Sequence, residues 1–156
     1  MPMRPCARSN GEAMTYYLED IKPGDSESLS HTVTERDIQL FGEATGDMNP
    51  VHFDEEYARK TIFRGRVAHG ALTVGFLSAL IGTRLPGAGT IFVSASIVFK
   101  APVRIGDTVV VTVTVRAIEG RHGFLDCVCR VGETIVMESD IKVLVPKRPA
   151  DKKTAD

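Results

Sequence analysis

The 156-residue chain is poor in cysteine, nearly balanced in charge and free of long apolar runs, and each deficit removes a class of function. Acids and bases are interspersed to a net charge of -1, so the basic footprint that tracks a nucleic-acid backbone is missing and no DNA or RNA partner is expected. The most apolar window, Ala71 to Ile81, is too short to cross a bilayer and is followed by Arg84; it reads as a buried helix, with no membrane partner. Of the three cysteines, Cys6 lies in a polar leader, while Cys127 and Cys129 flank Val128 in a strand-like run. That spacing is wrong for a metal site or a disulfide, and it puts both thiols on one sheet face as small buried hydrophobes of a reducing, cytoplasmic compartment.

Other signatures fail on spacing. There is no Cys-x-x-Cys pair and no Gly-x-Ser-x-Gly elbow. Asp47-x-Asn49 begins like a calcium loop, but Val51 and His52 stand where an oxygen ligand and a turn glycine are needed. Gly87-Ala-Gly89 opens a strand and not a helix, so it is a turn and not a dinucleotide loop. No metal or redox cofactor is implied.

With 43% hydrophobic and 25% charged residues, the chain fits one domain, over residues 14–146, that buries a core without staples. Residues 1–13 lack the apolar region of a secretory signal and are expected to be a disordered leader; residues 147–156 read as a flexible, solvated tail. Ser26 to Thr34 can form a strand, after which Thr34-Glu-Arg-Asp37 resembles a capping arrangement that opens a helix stopped by Gly46. Pro50 pushes Asn49 out of the α region, so Asp47 to His52 is expected to be a turn or loop. Asp54 can cap a short helix, Glu55 to Lys60, and His69-Gly70 begins a helix that is apolar nearly all round and therefore expected to be enclosed.

The remaining sequence alternates with period two: Ile91/Val93/Ala95/Ile97/Phe99, Val109/Val111/Val113/Val115, Leu125/Cys127/Cys129/Val131, then Ile135/Met137 with Ile141/Val143/Val145. Arg104-Ile-Gly-Asp107, Glu119-Gly-Arg-His-Gly123 and Gly132-Glu133 are short enough to join antiparallel neighbours. Four strands after one buried helix predict an α+β architecture in which the sheet curls around the helix.

The chemistry concentrates in Thr45-Gly-Asp-Met-Asn-Pro-Val-His52 and in Val67-Ala-His-Gly70. A carboxylate and a neutral imidazole facing one small volume can hold a water molecule and pass its protons. Amides at a helix N-terminus can stabilise a developing oxyanion. Together they suit addition of water to a carbonyl-activated double bond, or its removal. Plainer readings are a turn-forming Asp47, a satisfied buried His52 and a packing glycine at Gly70.

Phe41-Gly-Glu-Ala-Thr-Gly-Asp-Met-Asn-Pro-Val-His52, Ala68-His-Gly-Ala71 and Phe99-Lys-Ala-Pro-Val103 with Gly106-Asp107 resemble the MaoC-like, (R)-specific enoyl-CoA hydratase and dehydratase family over roughly Asp20 to Val145. The resemblance implies a hot-dog fold, an antiparallel sheet wrapped around a central helix, in a homodimer whose acyl-CoA enters near the subunit interface. It implies catalysis by Asp47 and His52, and a Gly70 amide that faces the thioester oxygen. Ser78 falls at a polar position of the site surroundings, and Asn49 fixes the turn or touches substrate. His69 is expected to orient the loop or contact the site. Coenzyme A is then the substrate carrier and no cofactor is needed. Arg64, Arg66, Lys100 and Arg104 are cations that could meet its phosphates, although surface solvation is the commoner role. The implied activity is reversible hydration of trans-2-enoyl-CoA to (R)-3-hydroxyacyl-CoA. The alternatives are a 3-hydroxyacyl-ACP dehydratase subunit, an acyl-CoA thioesterase and a non-catalytic acyl-binding module.

Overall fold

The computed structural model describes residues 15–150, so the expected leader with Cys6, and residues 151–156 of the expected tail, lie outside it. After β1 (Ser26–Thr32) come four helices: α1 (Glu35–Thr45), α2 (Pro50–Phe53), α3 (Glu55–Arg59) and α4 (Gly70–Thr83). Then follow β2 (Ile91–Phe99), β3 (Thr108–Glu119), β4 (His122–Val131) and β5 (Thr134–Leu144). The strands form one antiparallel sheet in the order β1-β3-β4-β5-β2. Helix α4 packs against β3, β1 and β2. This is the α+β hot-dog arrangement.

The core follows from the period-two pattern. Val109, Val111, Val113 and Val115 of β3 and Leu125, Cys127 and Cys129 of β4 are buried with Leu77, Leu80 and Ile81 of α4. Each such aliphatic side chain contributes about 1.5–3 kcal/mol by leaving water, which makes this face the main tie between helix and sheet. The two thiols share that face, 3.8 Å apart between Sγ atoms, and both are free.

Register shifts change the phase of β2 and β5, and a third lies between Val115 and Ala117 of β3. The register shifts between Phe92 and Ser94, so Phe92 and Ile97 pack on the core while Ile91 and Val93 are exposed, against the expectation that Ile91 and Val93 point inward. A second shift at Cys129/Arg130 leaves Val136 extra on β5, and Val136 and Met137 are both buried in place of Ile135. A bulge inserts one residue and reverses every inward position beyond it.

The Arg104–Asp107 turn does not join neighbours. It ends a crossover from β2, at one edge of the sheet, to β3 beside the other edge, and it extends β1 instead, with Val33 N–H donating to Asp107 O and Gly106 N–H to Val33 O. Nor is α4 enclosed by its own chain: Ala71, Gly75, Ser78 and Ala79 are exposed, because the sheet covers only one side of an all-round apolar helix. Arg148, expected in a solvated tail, donates from its guanidinium to Asp20 and from its backbone N–H to Glu19 Oε2, and lies over the Tyr17 ring.

Candidate active site

Two helix ends and a two-residue bridge set the first catalytic candidates. Thr34 and Asp37 form the expected capping box of α1, and Gly46 closes the helix at φ 78°, a left-handed conformation that glycine adopts without steric cost. Thr45 Oγ1 donates to Phe41 O and accepts from Asp47 N–H, which fixes where the chain leaves the helix. Asp47 Oδ1 accepts from Asn49 N–H at 3.2 Å, and Asn49 Oδ1 in turn caps α2 through Val51 N–H. Between the caps Gly46 and Asn49 only Asp47 and Met48 are loop. Pro50 sits at the first position of α2, where its missing N–H is no loss, so His52 rides on a helical turn and not on the loop expected for it.

His52 is 8% exposed, and its Nδ1 lies 2.8 Å from Val67 O. A carbonyl only accepts, so Nδ1 carries the proton and Nε2 presents a lone pair. Burial holds the imidazole below its ordinary histidine range, with His69 and Arg66 pushing the same way and Val67 O and Asp47 opposing them. The ring is therefore neutral near pH 7 and can accept a proton.

His69 is the N-cap of α4 and is 2% exposed. Its side chain does not cap that helix; Nε2 donates to the backbone carbonyl of Asp47 at 2.9 Å. The His69 and His52 rings lie 3.8 Å apart between centroids, inclined by 32°. Ligating atoms of Asp47, His52 and His69 all fall within 4.8 Å of one another. Such a donor set suggests a cation, but a metal must lie in the plane of each imidazole that binds it, and two stacked rings aim those planes poorly at a common point.

Gly70 follows directly. The first amides of a helix have no partner within it, and they carry the positive end of its dipole. A Cβ on Gly70 would stand 2.9 Å from the Phe99 ring, so glycine is what lets that ring and the backbone approach. The site opens on a cavity of about 830 Å³, lined by Asn49, His52, His69, Gly70 and Thr73 on its polar side. Val51, Val67, Val74, Ile97, Phe99, Val103 and Val136 supply an apolar wall. This is the size and character of a pocket for a small apolar chain with a few orienting groups.

Asp47 is exposed and stands at the rim, outside the lining residues. Ser78 is not brought to the pocket of its own chain. Eight residues separate it from Gly70, about 12 Å along a helix, and it lies on the exposed face of α4. Three of the four cations are paired within the chain itself. Arg66 holds Glu35 and His52 O, and Arg104 holds the carbonyls of Arg66 and Phe63. Lys100 pairs with Glu138 at the pocket edge, and Arg64 is exposed.

Residues 22–138 match the MaoC like domain. The chain belongs to the MaoC-like family. A curated (R)-specific enoyl-CoA hydratase of Rhodospirillum rubrum is 48% identical over 142 residues, covering 90% of this chain and 99% of that protein. A 3-hydroxybutyryl-CoA dehydratase of Methylorubrum extorquens is 43% identical over 139 residues, 88% of each chain. Among solved structures, an (R)-hydratase from A. caviae involved in PHA biosynthesis superposes with a TM-score of 0.79 at 29% identity, covering 83% of this chain and all (100%) of that one.

Three features of this MaoC-like protein escaped the sequence reading. Gly42 is buried inside α1, where a Cβ would come within 2.6 Å of the Phe53 ring, so it seats α2 against α1. A glycine inside a helical pattern costs about 1 kcal/mol relative to alanine, and that was the available signal. Thr73 places a buried hydroxyl in the pocket one turn beyond Gly70, in a stretch that reads as apolar. Arg66 is the buried-side clamp of the His52 carbonyl, a role that no motif announces.

Proposed function

We propose that this chain is an (R)-specific enoyl-CoA hydratase that reversibly adds water to a trans-2-enoyl thioester. The observation that carries the reading is that ligating atoms of Asp47 and His52 lie within 4.8 Å of one another, with His52 Nδ1 committed to Val67 O and the helix start of α4 following His69. A water molecule held by both groups attacks C3 and gives up one proton to the pair. The pair returns a proton to C2, so the site ends as it began. Negative charge builds on the thioester oxygen as C3 is attacked, and the Gly70 N–H at the helix start stabilises it. Because the proton cycle closes on Asp47 and His52, the reaction needs no metal or redox cofactor. The (R) sense rests on the Rhodospirillum rubrum relative.

The working form is a homodimer on this reading. β2 is a sheet edge, and Ile91, Val93, Val98 and Phe99 on it are 57%, 47%, 50% and 55% exposed. The uncovered face of α4 carries small residues, Ala71, Gly75, Ser78 and Ala79, with Thr83 at its end. An unpaired apolar edge of this kind is stable in water when another copy covers it. Asn49 and Ser78 then serve the turn and the packing face before the substrate. Among the described residues no helix is long and apolar enough to span a membrane.

The test is loss of enoyl absorbance across a series of trans-2-enoyl-CoA lengths, with chiral analysis of the product. Formation of (R)-3-hydroxyacyl-CoA is the expected result. Release of free thiol, or saturable binding without turnover, would remove the reading. Competition between acyl-CoA and acyl-ACP substrates separates the hydratase from a dehydratase of fatty acid synthesis.

A further inference from the structure

We infer that His69 is a positioning residue of the hydration site, one that locks the Asp47 carboxylate, the His52 imidazole and the start of α4 into a single rigid unit. The inference rests on the hydratase reading above. Three contacts carry it. The Nε2–H of His69 donates to the carbonyl of Asp47 across 22 residues of chain, at 2.9 Å. Its ring lies on that of His52 at 3.8 Å between centroids. Its backbone is the N-cap immediately before Gly70.

A histidine that merely filled space would be a poor choice here. The residue is 2% exposed, and its Nδ1 finds no hydrogen-bond partner among the described residues. Burying a polar atom without a partner is unfavourable, so a leucine would serve packing better. What leucine lacks is the donor that reaches the loop carbonyl. Phe41 at 4.7 Å and Phe53 at 5.7 Å hold the His69 ring from the remaining sides, so its one hydrogen bond has a fixed direction. Among the described residues the loop's own hydrogen bonds are short-range: Asp47 N–H to Thr45, Met48 N–H to Gly46 O and Asn49 N–H to Asp47. His69 supplies the long-range one.

The titratable and charged groups acting on His52 are His69 from the start of α4, Asp47 from the loop and Arg66 from the connection before α4. Asp47 favours protonation of His52, Arg66 opposes it, and so does His69. Removing it therefore leaves a mark on the pH profile as well as on the rate.

The experiment compares wild type, His69→Leu, His69→Asn and His69→Gln in steady-state hydration of crotonyl-CoA as a function of pH, with circular dichroism as the check on folding. Glutamine places an amide N–H near the Nε2 position; asparagine and leucine do not. Leucine and asparagine variants are expected to lose about 10–100-fold in kcat with KM changed less than about threefold. The glutamine variant is expected to recover to within about fivefold of wild type, with the acid limb of kcat/KM moved to higher pH. Should the leucine variant fail to fold, asparagine against glutamine decides alone. Equal losses in asparagine and glutamine, a kcat near wild type in the asparagine variant, or an unmoved acid limb in the glutamine variant overturns the inference. In any of those cases an active wild type leaves the hydratase reading standing; an inactive wild type removes both.

Discussion

The Nδ1–H of His52 donates to the carbonyl of Val67 at 2.8 Å, and this bond decides which nitrogen of the neutral ring carries the proton. With Nδ1 occupied, the lone pair sits on Nε2, and burial keeps the ring's pKa below the ordinary value of 6.5. The sign follows. Activity that needs neutral His52 rises with pH through the lowered pKa and is lost as pH drops through it. Between the two values the unfolded chain holds a proton that the folded chain does not, so stability declines as pH falls through that same window. A kcat/KM profile should show its acid limb below 6.5, and a limb above that value would contradict the burial argument.

Loss of either proton-handling group should be felt in turnover and not in folding. Asp47 is exposed, and Asp47→Asn retains an oxygen that can accept from Asn49 N–H. His52→Gln keeps polarity but no titratable nitrogen. Each variant should lose about 10²–10⁴-fold in kcat. Thermal melting should change little for Asp47→Asn. Turnover near wild type in both variants would end the two-group mechanism.

Gly70→Ala separates approach from stability. The added methyl group would stand 2.9 Å from the Phe99 ring, a side-chain neighbour on a residue that is 55% exposed in the single chain. The fold should therefore lose less than about 1 kcal/mol, because the neighbour can move. Phe99 and Gly70 both line the cavity, so on the proposed mechanism the methyl group crowds the approach of a thioester oxygen to the Gly70 amide. We expect a fall of about 10–10³-fold in kcat/KM with a near-normal melting temperature. A large drop in melting with intact kinetics would make Gly70 a packing glycine.

Helix caps and the strand pattern of the core were legible from sequence because they depend on neighbours: Thr34 with Asp37, Asp54 with Tyr57, and alternate valines through β3. Phase along β2 and β5 was not. A bulge at Phe92/Ser94 or Cys129/Arg130 is set by the partner strand, and one inserted residue turns Val93 outward and Val136 inward. The candidate site divides in the same way. Asp47, His52 and Gly70 announce themselves by residue type and spacing, whereas the stacking of His69 on His52 and the seating of Phe53 on Gly42 arise between elements distant in the chain. The full exposure of one α4 face was equally hidden, since a sequence shows that a helix is apolar but not which chain covers it.

Arg66 tests how far the support of His52 extends. Its Nε–H donates to His52 O at 2.7 Å while its terminal nitrogens reach both oxygens of Glu35 at 3.0 and 2.8 Å. The Arg66 hydrogen bonds are the main cause holding the Glu35 carboxyl below its ordinary range. Yet Glu35 is 48% exposed in its side chain, so water screens much of that pair. Lysine offers no planar fork and cannot serve both partners at once. Arg66→Lys should thus lower stability by about 1–2 kcal/mol, with Glu35→Gln costing less than about 1 kcal/mol. It should also lower kcat by about 3–10-fold by loosening the turn that carries His52. Chemical denaturation and steady-state kinetics on the two variants distinguish the sources: equal losses would place the clamp's value in the ion pair, and a deficit confined to Arg66→Lys would place it in the bond to the His52 carbonyl.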